Sequence, residues 1–236
     1  MTDWPGEGRR SPTPSTPTWA VLHPLSEWLR TQAREIHEER GRYRLLDVGC
    51  GVKPYHPWFE PYVSEYVGID LGGNPVAELE GPIEALPVED ASYDVVICTQ
   101  VLEHCDDPAR AVREVRRVLR PGGRVLLSTH GVQVFHPAPH DLWRWTHEGL
   151  DRLFRTNAQW ATVSVRPSAG TTATIALLLS IYIDLAGRRA HVVPPARALV
   201  SVLNRGAAAL DGRFAILREP GPGTIHPNYH VTAVAP

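Results

Sequence analysis

The spacing of apolar positions changes several times along this chain, and the changes predict its elements. Over residues 23–39 apolar side chains recur at helical spacing, with Leu25, Trp28, Leu29 and Ile36 on one face and Gly41 as the stop. Short apolar runs follow at 44–48, 65–70 and 93–98, with a weaker one near 76–79. Runs of this length suit strands covered on both faces. Asp107-Pro108 supplies an N-cap and a first-turn proline for a helix whose apolar face is Ala111, Val112, Val115, Val118 and Leu119. Pro121-Gly122-Gly123 breaks it, and 124–129 is the next strand. A helix from Thr146 through Phe154, a strand at 161–165 and a terminal strand at 229–234 complete the pattern. Strand and helix alternate with short links, which predicts an α/β fold with a doubly wound sheet.

Two segments depart from this rhythm. Residues 1–18 are rich in Pro, Ser, Thr and Gly and are expected to be a disordered tail, leaving 19–236 as a single domain. Residues 167–226 form a long connection with its own helical character, read as an insertion packed on the main domain and as a candidate homodimer surface. Its apolar run at 175–183 is shorter than the roughly twenty residues of a membrane span, so no transmembrane segment is expected.

Composition narrows the classes. A chain of 236 residues with 43% hydrophobic and 21% charged residues supports one good core. The net charge of -2 offers no basic field for nucleic acid. Cys50, Cys98 and Cys105 lack paired spacing, which argues against a disulfide framework or a zinc site and for small buried side chains. Lys53 is the only lysine, a bias that fits a GC-rich coding sequence, and it is expected at the surface. No signal pattern opens the chain, so a cytoplasmic protein is expected.

The stretch Leu45-Leu46-Asp47-Val48-Gly49-Cys50-Gly51 carries the first chemistry. A buried strand runs into a glycine turn, where Gly49 and Gly51 let the backbone approach a bound molecule closely. A glycine turn after a strand is also often simply a turn. Two further blocks sharpen it: Leu86-Pro87-Val88-Glu89-Asp90-Ala91-Ser92-Tyr93-Asp94-Val95-Val96, and Val101-Leu102-Glu103-His104 followed by 115–123. In this order and spacing the three resemble the class I S-adenosylmethionine-dependent methyltransferases, within them the type 11 group. The resemblance covers 44–130 well and implies a Rossmann-like sheet of seven strands, six parallel and the last antiparallel, with the helical insertion before that last strand.

The resemblance also implies S-adenosylmethionine as cofactor and assigns residues to it. Asp47 would support the glycine turn, with Gly49, Cys50 and Gly51 passing under the methionine and ribose. Asp70 would accept both hydroxyls of the ribose diol, and Leu71 would pack beside the adenine. Ile83 and Glu84 would border the adenine ring, although Pro82 stands where many relatives carry an Asp. Thr99, Gln100 and His104 would lie near the methionine end, with His104 otherwise a loop-holding residue. A further glycine, common in the family two residues after the turn, is replaced here by Lys53-Pro54-Tyr55.

The acceptor side is expected in the loop at 130–146, which resembles a His-Asp-aromatic-Arg-aromatic-Thr segment of a bacterial subset of the family. His136 and His140 are the candidate general bases, since imidazole titrates near neutral pH. A metal site from His136, His140 and Asp141 ranks below this reading, because Pro137 and Pro139 prevent regular presentation of the ligands. The function implied is methyl transfer to a small-molecule acceptor at oxygen, such as a sugar or a secondary metabolite. One rival is a nicotinamide dehydrogenase, whose fuller glycine fingerprint is missing. The other is a non-catalytic cofactor-binding or adaptor protein whose insertion binds a partner.

Overall fold

The computed structural model of the chain describes residues 4–137 and 139–236. Its centre is a seven-stranded sheet in the order β3-β2-β1-β4-β5-β7-β6. The strands are β1 (Tyr43–Val48), β2 (Val63–Asp70), β3 (Leu79–Glu80), β4 (Tyr93–Thr99), β5 (Leu119–His130), β6 (Thr162–Pro167) and β7 (Asn228–Val234). β7 runs antiparallel to both β5 and β6, and the remaining pairs are parallel. The expected architecture of six parallel strands and one antiparallel strand is therefore observed. The winding reverses between β1 and β4, which opens a crevice beyond their carboxyl ends.

Side-chain alternation divides the strands between two cores. Leu45, Val95, Ile97 and Leu126 meet α2 (Trp19–Arg40) through Leu25, Leu29, Ala33 and Ile36, and α3 (His56–Phe59) through Phe59. Leu46, Val48, Val96, Cys98 and Leu127 face the other way, onto α4 (Pro108–Val118) and α5 (His147–Asn157). A one-residue slip in any strand would exchange these faces, so the apolar pattern fixes the register. Asp107 caps α4 by accepting from Arg110 N at 2.9 Å, as its sequence position predicts.

The insertion is a hairpin of two helices, α6 (Thr171–Arg189) and α7 (Val193–Arg213), and it closes a third cluster with Ala20 and Val21 of α2. Asp211 holds the hairpin by accepting from the Thr172 and Ala173 amides at 3.1 and 3.0 Å.

The expected disordered tail is corrected over its described part; residues 1–3 lie outside the described residues. Residues 7–10 form a helical turn, α1 (Glu7–Arg10). Trp4 Nε1 donates to Lys53 O at 2.8 Å, and the buried Arg10 guanidinium donates to Pro5, Trp4 and Pro54 carbonyls. The segment lacks an apolar stripe, so composition signals disorder. Its order comes from long-range hydrogen bonds: Arg10 satisfies carbonyls that would otherwise be orphaned, Ser26 Oγ donates to Arg10 O, and Asn204 Nδ2 donates to Pro14 O and Thr16 O at 2.8 and 3.2 Å.

Candidate active site

Gly49 and Gly51 adopt left-handed backbone at φ 68 and 51, which lets the chain leave β1 in a tight turn. The amides of Gly49 and Cys50 both donate to Ile69 O, at 2.8 and 3.1 Å, tying the turn to β2. A Cβ at Gly49 would overlap Val101, whereas the space beside Gly51 is open. The turn thus forms one wall of a cavity of about 420 Å³ at the β1–β4 crevice. This size lies within the range of small-molecule sites.

Gly49, Gly51, Asp70, Leu71, Ile83, Glu84, Thr99, Gln100, His104 and His140, all expected at the site, line this cavity. Asp47 and Cys50 do not. Asp47 is buried beneath the turn and accepts from the Tyr66 hydroxyl at 2.6 Å. Burial pushes its carboxyl up to about 7 against that hydrogen bond and the nearby Lys53 charge. The Cys50 thiol turns under Gly68, where a Cβ would come within 2.8 Å of its Sγ, and burial pushes it up to about 12.

Asp70 stands at the end of β2. Its Oδ2 accepts from Gly51 N at 2.9 Å and Asn74 Nδ2 at 2.7 Å, and its Oδ1 accepts from Leu71 N at 2.8 Å. Glu84 accepts through Oε1 from Asp106 N and Asp107 N at 2.8 and 3.3 Å, so that oxygen braces the approach to α4. Lys53 is not at the surface. It is 4% exposed, and its ammonium lies under the turn on both carboxylate oxygens of Glu78. Gly68 makes room for it, because a Cβ there would overlap Lys53 Cε.

A second cavity of about 440 Å³ adjoins the first and shares Arg9 and Gln100 with it. Its walls are Pro17, Thr18, Val21 and Leu22 from the N-terminal region, His130, Gln133, Val134 and His136 after β5, and Ile181 and Asp184 from α6. Gln100 is held in left-handed backbone at φ 59, and its amide donates to Ser128 Oγ and Asn228 Oδ1 at 2.8 and 3.0 Å. A non-glycine residue in that region is a strained position of the kind found at sites.

The two candidate bases separate. His140 is exposed at the first cavity, and its carbonyl contacts His104 Nδ1. His136 lies in the second cavity, its ring 5.1 Å from those of both His104 and His130. Burial, then the His104 charge, hold the His136 imidazole below its ordinary value. Asp141 fixes this loop, accepting from His136 N at 3.0 Å and from the Arg144 guanidinium, which holds its carboxyl well below the usual range. Arg144 also reaches Val134 O at 3.0 Å, so it acts as a loop clamp. Glu103, fully buried, joins the β4 and β5 loops: Oε2 accepts from Thr129 Oγ1 at 2.8 Å, and its carbonyl takes Leu142 N and Trp143 N. Among the described residues, no three His, Cys, Asp or Glu side chains are grouped so as to hold a metal ion.

Comparison with known proteins shows what part of the chain is similar to a family. A family model described as a methyltransferase domain matches residues 46–127. An uncharacterized methyltransferase, YcgJ of Bacillus subtilis, is 36% identical over 108 residues, covering 39% of this chain and 43% of that one. Over the matched residues the chain is similar to the class I S-adenosylmethionine-dependent methyltransferases. A ubiquinone biosynthesis O-methyltransferase of Bordetella avium is 35% identical over 125 residues, 46% of this chain and 50% of the relative. The chain thus spans about half the length of the curated relatives it matches. The crystal structure of YcgJ superposes with a TM-score of 0.50 at 21% identity, covering 90% of this chain and 98% of that one, a likeness in fold. Sequence reasoning missed Arg9, which lies in the segment expected to be disordered, and the second cavity, which no local motif marks.

Proposed function

We propose that this methyltransferase transfers the methyl group of S-adenosylmethionine to a hydroxyl of a small-molecule acceptor, of the size and polarity of a sugar or secondary metabolite. The observation that carries the reading is the meeting of the two cavities at Arg9 and Gln100. In this arrangement the first cavity holds the cofactor and the second holds the acceptor. Their shared boundary is where two reactants are brought together.

The residues of the first cavity fit the cofactor. The open space beside Gly51 accommodates a close ligand, and Asp70 Oδ1 keeps capacity for a ribose hydroxyl beyond its bond to Leu71 N. The Asn74 side chain on Asp70 Oδ2 is a donor that a second ribose hydroxyl can replace. Glu84 and Asp106 border the end where adenine is expected, and they supply the acceptors that Pro82 cannot. When bound, the cofactor supplies an electrophilic methyl group on a sulfonium. Gln100 orders the junction through its bonds to Ser128 and Asn228. His136, half-buried and with its imidazole held below the ordinary value, accepts the proton of an acceptor hydroxyl. Ile181, Val21 and Leu22 exclude water from the acceptor side.

The reading is tested with cofactor carrying a labelled methyl group, incubated with the protein and a small-molecule extract of a bacterium. Label is expected in a base-stable ether product. Cofactor binding without any protein-dependent transfer would overturn the enzymatic reading.

A further inference from the structure

The outer surface of the α6–α7 hairpin differs from the rest of the chain. Ile175, Leu179 and Tyr182 recur at helical spacing on the side of α6 opposite Ala173, Ala176, Leu177 and Ser180, which are buried. On α7, Val202 lies opposite Ala196, Val200, Asn204 and Ala207, and Leu199 and Leu210 are exposed on the flanks of that buried face. Val202 is 68% exposed, and Ile216, just beyond α7, is 78% exposed. Single exposed apolar residues need no explanation, but two stripes on neighbouring helices do.

Charge says what covers them. Between residues 171 and 218 the only acids are Asp184 and Asp211, and both are buried. Asp184 is held by Arg188 at 2.6 Å, and Asp211 by the amides at the start of α6. The same stretch carries Arg188, Arg189, Arg197, Arg205, Arg213 and Arg218, in a chain whose net charge is -2. The hairpin is therefore a cationic, apolar-faced element on an otherwise acidic molecule. A second copy of this hairpin would bring arginines against arginines. A surface with an apolar interior and anionic headgroups matches both features. Among the described residues no helix is long and apolar enough to cross a membrane. The fitting geometry is a hairpin lying in the interface.

We propose that the α6–α7 hairpin docks this methyltransferase onto an anionic lipid surface, with the apolar stripes in the headgroup boundary and the arginines on lipid phosphates. α6 also lines the second cavity through Ile181 and Asp184. Docking would thus hold that cavity close to the lipid.

The test is flotation of the full chain with vesicles of equal parts phosphatidylcholine and phosphatidylglycerol, against vesicles of phosphatidylcholine alone. The protein is expected to float with the mixed vesicles at low salt, to be released by high salt, and to ignore the neutral ones. Arg205→Gln and Arg213→Gln are each expected to weaken binding about fivefold, the effect of removing one basic residue at an anionic surface. Val202→Glu is expected to abolish flotation. Because these positions are exposed, the variants are expected to keep the wild-type melting temperature and cofactor affinity, which are measured alongside. Failure to float with mixed vesicles overturns the proposal, as does flotation that the substitutions leave unchanged. A dimer by sedimentation velocity that Val202→Glu splits, without vesicle binding, assigns the face to a second copy instead.

Discussion

Lys53 and Glu78 form an ion pair whose two halves are unequal, and the inequality fixes the result of a mutational cycle. The Lys53 side chain is 5% exposed and the Glu78 side chain 50%. Lys53→Met keeps most of the buried stem and leaves a carboxylate that water can reach and that still accepts from Gly68 N at 2.6 Å. That loss is about 1 kcal/mol, in the range of one partly exposed pair. Glu78→Ala instead leaves an ammonium buried beneath the glycine turn and removes the acceptor of the Gly68 amide. Stranding a buried charge costs about 3–5 kcal/mol, and an orphaned amide adds about 1 kcal/mol. Glu78→Ala is therefore expected to be the more damaging by about 3 kcal/mol. The double variant is expected to recover roughly 2 kcal/mol over Glu78→Ala alone, because it strands no charge. Urea denaturation of the four proteins, compared at constant m-value, measures both quantities. Equal losses for the two single variants, or additivity in the double, would refute the claim that this carboxylate is the main partner of the cation.

Other parts of the molecule give equally direct expectations. Asp70→Ala is expected to weaken S-adenosylmethionine binding by about 10- to 100-fold in calorimetry, the value of hydrogen bonds to a charged acceptor; unchanged affinity would remove Asp70 from the cofactor site. His136→Gln is expected to lower kcat by about 10²- to 10⁴-fold with little change in cofactor affinity. The base must be neutral and its protonation is held below the ordinary imidazole value, so wild-type kcat should fall only as pH drops below about 6.5; a limb above that value would exclude His136. Gly68→Ala, which forces a Cβ into Lys53 Cε and Cys50, should cost about 1–3 kcal/mol in thermal or urea unfolding. His230, stacked on Trp28 at 4.3 Å, is pushed down to about 3 by burial, so the unfolded chain binds a proton there that the folded chain does not. Its contribution is whole above about 6.5 and is lost as pH falls toward 3, so His230→Phe should gain on wild type by about 1.4 kcal/mol per pH unit across that window; parallel profiles would contradict it.

The sheet was legible because its information is local. β1 and β4 are apolar runs of the right length, and Asp107-Pro108 announces its helix within two residues. The wall of the first cavity was legible for the same reason: Gly49, Gly51, Asp70, Thr99 and Gln100 lie at the ends of strands that the pattern already placed. The start of α2 lies before the helical pattern at 23–39, because Ala20 and Val21 pack on the α6–α7 hairpin, and their period has no meaning until that hairpin is in place.

What was not legible depends on partners distant in sequence. A lone lysine after a glycine turn reads as solvent-exposed, since nothing nearby can neutralise it. Its acceptor is Glu78, and the space for its stem exists only because position 68 of β2 lacks a side chain. The N-terminal segment follows the same logic. Arg10 is buried because carbonyls of Trp4, Pro5 and Pro54 converge on it, and that convergence needs the unusual exit Lys53-Pro54. The two departures from expectation are therefore one structural event. The non-glycine exit from the turn draws Lys53 inward to Glu78 and turns Lys53 O and Pro54 O outward, where Trp4 and Arg10 bind them. That places Arg9 at the junction of the two cavities. A variant of the turn should therefore disturb the acceptor side through the N-terminal segment, and Lys53→Met tests this by protease sensitivity of residues 4–18. Faster cleavage there than in wild type is expected, and an unchanged rate would show that the two features are independent.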